Sequence, residues 1–130
     1  MYPIHSGIEN QVYDYKDLSY ILFRLGFENE DIEFEKGSID YPLNQPHGGR
    51  AFLRIPIYIE IGHFNEPEAK VRIAKPYILS QSFEEGLTEE GLSGSLSSTV
   101  TRTEADSVLH SALMEEAERV IEQVEKALLQ

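Results

Sequence analysis

Residues 50–61 read Arg50-Ala-Phe-Leu-Arg-Ile-Pro-Ile-Tyr-Ile-Glu-Ile61. The odd positions Leu53, Ile55, Ile57, Ile59 and Ile61 are aliphatic without a break, and the even positions Phe52, Arg54, Pro56, Tyr58 and Glu60 are mixed. A period of two places one set on each face of a strand. An antiparallel strand with one face buried and one face open fits this pattern best. Burying the five aliphatic side chains contributes on the order of 10 kcal/mol before chain entropy is charged against it. The strand therefore predicts where the core lies, and it carries no chemistry of its own.

The flanking segments supply the rest of a sheet. Residues 8–13 are expected to form a short first strand. Asp14 reads as an N-cap with Asp17 in the first turn, and Leu18, Ile21, Leu22 and Leu25 follow at helical spacing up to Gly26. That predicts a helix over 15–25. Ile32 and Phe34 alternate with acids, Gly37-Ser38 reads as a turn, and Ile39, Tyr41 and Leu43 resume the alternation, which predicts a hairpin. Pro42 is expected to end that second strand early or to lie at an edge. Residues 44–49 and 63–69 are loops by composition. Val71 and Ile73 restart a strand running toward Phe83. Pairing Ile61 with Val71 sets Glu60 opposite Arg72. It also sends Lys75 toward the apolar face, so a bulge or distortion is expected near Lys75-Pro76.

The last third divides in two. Residues 84–98 are rich in Gly and Ser, and 96–102 read as a last strand because they hold Ser, Thr and Val. Thr103 then reads as an N-cap with Asp106 at N3. Leu109, Leu113, Ala117, Val120, Val124 and Leu128 step by three or four, with Ala112, Ile121 and Ala127 widening the stripe. A helix over 104–129 would be ~39 Å long, and a strand over 50–61 roughly 40 Å. The match in length lays the helix along the sheet. The expected fold is a single α+β domain over 1–130. Its antiparallel sheet is covered on one face by two helices in a β-α-β4-α-like order, analogous to TATA-binding-protein-like and helix-grip folds.

Three segments together, Phe52-Leu-Arg-Ile-Pro56, Val71-Arg-Ile-Ala-Lys-Pro-Tyr-Ile-Leu79 and Gly86-Leu87, with the opening Pro3-Ile-His-Ser-Gly-Ile-Glu9, resemble the YugN-like family of small proteins from Bacillus and relatives. The resemblance implies a soluble cytoplasmic protein of uncharacterised function. It carries over no catalytic residue.

Composition narrows the functions. The 130 residues contain no cysteine, which excludes a disulfide framework, a thiol nucleophile and sulfur-based zinc sites. The net charge is −12, from 23 acids against 11 bases, so generic binding to nucleic acid or anionic membrane is not expected. The opening residues have no basic, apolar signal-like pattern. No apolar run approaches the roughly 20 residues of a membrane span. A cytoplasmic location is expected.

The four histidines, His5, His47, His63 and His110, show no metal-ligand spacing, so no metal and no cofactor is expected. Gly91-Leu-Ser-Gly-Ser95 lacks the last glycine of a nucleophile elbow, and His47-Gly-Gly-Arg50 is better read as a turn entering a strand. The polar set of most interest is Arg54, Arg72 and Lys75 with Tyr58 and Tyr77. It is a candidate ligand or partner patch, set against simple neutralisation by Glu60 and its neighbours. The function expected is a non-catalytic binding or protein-interaction module. A homodimer is expected, because a helix ~39 Å long is wide for a domain whose radius of gyration is about 14 Å. The alternative is a carrier holding a small apolar or amphiphilic ligand between the sheet and the C-terminal helix.

Overall fold

The structure, a computed structural model, describes residues 2–44, 50–80 and 95–129, with side chains for all of these except 95–110. The strands are β1 (Tyr2–Pro3), β2 (Val12–Asp14), β3 (Asn29–Ile32), β4 (Lys36–Leu43), β5 (Ala51–Ile61), β6 (Lys70–Ile73) and β7 (Tyr77–Ser80). The helices among the described residues are α1 (Tyr15–Leu25) and α2 (Ser95–Leu128). All strand pairs are antiparallel. The sheet runs β1-β7-β5-β4-β3, and β6 joins β5 to β2. The α+β class and the two-helix cover expected from the sequence are both present.

The inner face follows from the period of β5. Ala51, Leu53, Ile55 and Ile57 are all 2% exposed or less. Across the ladder Ile55 meets Ile39, Leu53 meets Tyr41 and Ile78, and Ile57 meets Ile73. Leu18 and Leu22 of α1 and Leu113, Ala117, Val120, Ile121 and Val124 of α2 close over them in one core cluster. Leu128 is half-buried, and Ala112 and Ala127 are exposed, so the α2 stripe is narrower than its sequence suggests.

Several expectations need correction. Residues 7–10 form turns instead of a strand: Ile8 is fully buried there and Asn10 takes a left-handed backbone, φ 71°, which Asn tolerates. Asp14 does occupy the N-cap position of α1, but it makes no side-chain capping hydrogen bond: Lys70 Nζ donates to its Oδ1 at 2.6 Å across the β2–β6 pair. The Tyr15 amide is satisfied by Ala69 O at 2.9 Å. The β3–β4 turn lies at 33–35, N-terminal to Gly37-Ser38. Gly37 is a strand residue, and a Cβ there would stand 2.5 Å from Ile32 Cδ1, the movable end of that side chain. Phe34 accordingly sits in the turn, 77% exposed. Pro42 does lie at a local edge, since β3 pairs β4 only from Gly37 to Asp40.

The β5–β6 register is two residues from the expected one: Val71 pairs with Ile59, and Arg72 with Tyr58. The connection consumes Gly62 in a left-handed conformation, φ 80°, and the register shifts between Ile59 and Ile61. Ile61 is therefore 55% exposed, against expectation. The distortion near Lys75-Pro76 is present as a break in the ladder between β6 and β7. Inward positions change there from Val71 and Ile73 to Pro76 and Ile78, which leaves Lys75 off the core face. Ala74 N donates to Pro56 O across the break at 2.9 Å.

The expected strand over 96–102 and the expected cap at Thr103 are both overturned, since the helix begins at Ser95 and runs unbroken. Leu96 and Val100 are four apart, a helical spacing that outweighs the weak strand preference of the residues between them. The helix of 34 residues is ~51 Å long, and β5 with 11 residues is ~36 Å long.

Gly26 closes α1 at φ 111°, and its amide donates to Phe23 O. A Cβ there would also lie 2.9 Å from Tyr41 Cε2. Gly26→Ala is expected to cost about 1–2 kcal/mol, read as a lower urea midpoint with an unchanged slope.

Candidate functional site

The even-numbered side chains of β5 define the outer face, and the register arranges them in rows. Asp40, Arg54 and Tyr77 form one row, and Lys36, Tyr58 and Arg72 form another. Leu18 and Leu22 of α1 and Leu113, Ala117, Val120, Ile121 and Val124 of α2 are buried in the core on the opposite side. Tyr58 is 48% exposed.

Arg54 is clamped. Its Nε donates to Asp40 Oδ1 and its Nη2 to Asp40 Oδ2, both at 2.9 Å. The pair is directly cross-strand, which fixes its two-pronged geometry. Asp40 is 5% exposed although it faces outward. Hydrogen bonding to Asp40 pushes the Arg54 guanidinium above its ordinary range; burial opposes this, and the Tyr77 hydroxyl adds to it. Arg54 is thus a permanently charged group already committed to a carboxylate.

Arg72 stands opposite Tyr58 and reaches diagonally along the face to Glu60, two residues on, pairing with it through Nη2. Its side chain and that of Glu60 are 44% and 34% exposed. Arg72→Ala is expected to cost less than about 1 kcal/mol, as exposed pairs do, and a denaturation curve measures it.

A polar cleft of about 200 Å³ opens between the rows and contains Arg54, Tyr58 and Tyr77 together with Asp31, Glu33 and Lys36. The sequence grouping is therefore split. Arg54, Tyr58 and Tyr77 share one cleft, whereas Arg72 and Lys75 do not line it. The acids of β3 and its turn bring negative charge to the cleft, which the sequence grouping missed. The signal was the run Asp31-Ile-Glu33 once its strand is placed beside β4.

Elsewhere the ionisable groups serve the fold. Glu30 accepts from the hydroxyls of Tyr15 and Ser19, tying α1 to β3. Burial, with Glu30 beside it, raises Tyr15 above the ordinary phenol range. The hydrogen bond from Lys70 holds the Asp14 carboxyl below its usual range. Its contribution is therefore present above the ordinary carboxylate pKa and is lost as the pH falls through the lowered value. Glu125 Oε2 accepts from Ser6 Oγ at 2.7 Å, pinning the N-terminal segment to α2.

Among the described residues no three His, Asp or Glu side chains converge on a point that would hold a metal. His5 and His63 are exposed. His47, the Gly48-Gly49 pair and residues 91–94 lie outside the described residues, as does the side chain of His110. No described helix is long and apolar enough to cross a membrane.

Comparison with known proteins places these features in a wider setting. A family model described as the YugN-like family matches residues 3–128. "Uncharacterized protein YugN" of Bacillus subtilis (strain 168) is 28% identical over 134 residues, covering 99% of each chain. The crystal structure of uncharacterized conserved protein YugN from Geobacillus kaustophilus HTA426 superposes with a TM-score of 0.55 at 23% identity. It covers 61% of this chain and 70% of that one, a likeness of fold.

Proposed function

The chain belongs to the YugN-like family, and from that premise we propose that it is a non-catalytic interaction protein that acts as a homodimer. The observation that carries the reading is the state of the outer-face cations. Arg54 and Arg72 are each engaged by a carboxylate of this same chain, Asp40 and Glu60. Groups compensated in this way organise a surface; they do not leave a charged group free for proton transfer or for a transferring anion. The tyrosines beside them, Tyr58 above all, offer the amphipathic contact area typical of interfaces.

Self-association is supported by length. The ~51 Å of α2 exceeds the ~36 Å of β5, the longest strand, which gives a second copy a long helix to pack against. Sedimentation equilibrium at tens of micromolar is expected to give about 30 kDa, twice the 14.8 kDa chain. A mass of ~15 kDa would refute the dimer.

The carrier reading is less favoured. Leu53, Ile55 and Ile57 are fully buried against Ala117 and Val124 in a continuous cluster, which fills that part of the space a ligand would need.

A further inference from the structure

We infer that the end of the sheet where the β3–β4 and β5–β6 turns meet is a docking surface for a basic amphipathic peptide segment of another protein. The proposal rests on reading the chain as an interaction protein, and its cleft shares only Glu33 with the lining of the Arg54 cleft. The two turns enclose an open cleft of about 510 Å³ lined by Glu33, Phe34, His63, Phe64 and Asn65. That is within the range of about 300–1,000 Å³ usual for ligand clefts.

The floor of the cleft is braced. Phe64 packs edge-on against Tyr15, with ring centroids 5.1 Å apart. His63 N donates to Glu66 Oε1 at 2.8 Å, and Glu35 O accepts from Ile59 N at 2.9 Å, fastening the first turn to β5. On this braced floor Phe34 stands 77% exposed, with the His63 ring 5.9 Å from it. A phenylalanine held up by two fastened turns, with most of its surface in water, is a preformed apolar anchor.

The surroundings decide the occupant. Glu33 lines the cleft, Glu35 shares its turn, and Glu66 and Glu68 lie on the second turn; of the lysines nearby in sequence, Lys36 lines the neighbouring Arg54 cleft and Lys70 is paired with Asp14. An apolar centre with an acidic rim selects an apolar side chain flanked by cations. A second copy of this chain is disfavoured here, because it would bring the same acids against these ones in a molecule of net charge −12.

The chain has no tryptophan, so a tryptophan in a probe reports binding without background. The probe is a synthetic peptide of alternating lysine and leucine with one central tryptophan, titrated with the full chain and followed by its fluorescence. Saturable binding is expected, weakening as salt rises. Phe34→Ser should weaken it at least about tenfold. The combined Glu115→Gln, Glu118→Gln and Glu122→Gln variant, which removes three charges from the exposed face of α2, should bind as the parent does. The same peptide with glutamate in place of lysine should not bind. Weaker binding in the α2 variant with none lost in Phe34→Ser would show attraction by net charge alone and overturn the proposal. So would absence of binding, or binding insensitive to Phe34→Ser. Overturning it while the sedimented mass remains that of a dimer removes this site and leaves the broader reading standing.

Discussion

Ile55→Ala is expected to lower the unfolding free energy by about 4 kcal/mol, near the upper end for aliphatic truncations. Ile55 is fully buried, pairs with Ile39 across the sheet and belongs to the cluster closed by α1 and α2. Its loss removes the transfer energy of the side chain and leaves a cavity between rigid layers that collapse poorly. A domain of this size holds only about 5–15 kcal/mol in total, so the variant should sit close to unfolding at 25 °C. Ile61→Ala serves as the internal control: its side chain is 55% exposed, and the change should cost less than about 1 kcal/mol. Urea titration of both variants measures the contrast. Similar costs at the two positions would mean that the alternation does not set the buried face.

The second large effect is expected at Asp40. Asp40→Ala strands the Arg54 guanidinium, whose side chain is 24% exposed, beside a cavity with no carboxylate. Breaking a buried pair costs about 3–5 kcal/mol; partial exposure of Arg54 reduces this to about 2–3 kcal/mol. Deprotonation offers Arg54 no relief, because arginine remains charged throughout the accessible pH range. Replacing both partners, as Asp40→Leu with Arg54→Met, should recover most of the loss. A double-mutant cycle in urea reads the coupling. A double variant as unstable as the Asp40→Ala single variant would contradict the pair's placement as one interacting unit.

The fold was legible wherever one periodic signal ran unopposed. The alternation in β5 fixed the buried face through Ile57, and the α1 boundaries followed from the Leu18–Leu25 spacing and Gly26. Legibility failed where a residue type has two physical uses. Gly37 looked like a turn residue, yet it lies within β4, with the Ile32 side chain close over it. Asp14 stands at the N-cap position as read, but a lysine 56 residues away, on the strand paired with β2, claims its carboxylate. Register was hidden because the number of residues a connection consumes depends on its backbone: Gly62 and the shift after Ile59 moved the β5–β6 pairing by two.

The candidate patch was legible only in outline. Alternation put Arg54 and Tyr58 on one face, but the partner of Arg54 was not expected to be Asp40. Asp40 is on β4, and its position opposite Arg54 depends on a register that sequence alone leaves open. The cleft at the two turns was missed because Phe34 was assigned to a strand; once the turn is placed at 33–35, its exposure follows.

Native mass spectrometry of the gently purified full chain tests most directly whether the protein works by association and not by carrying a ligand. The expected result is a dimer of about 30 kDa, twice the 14.8 kDa chain, free of any retained small molecule. A 14.8 kDa monomer holding a stoichiometric apolar adduct would contradict the proposed function and transfer the role to the space between sheet and helix.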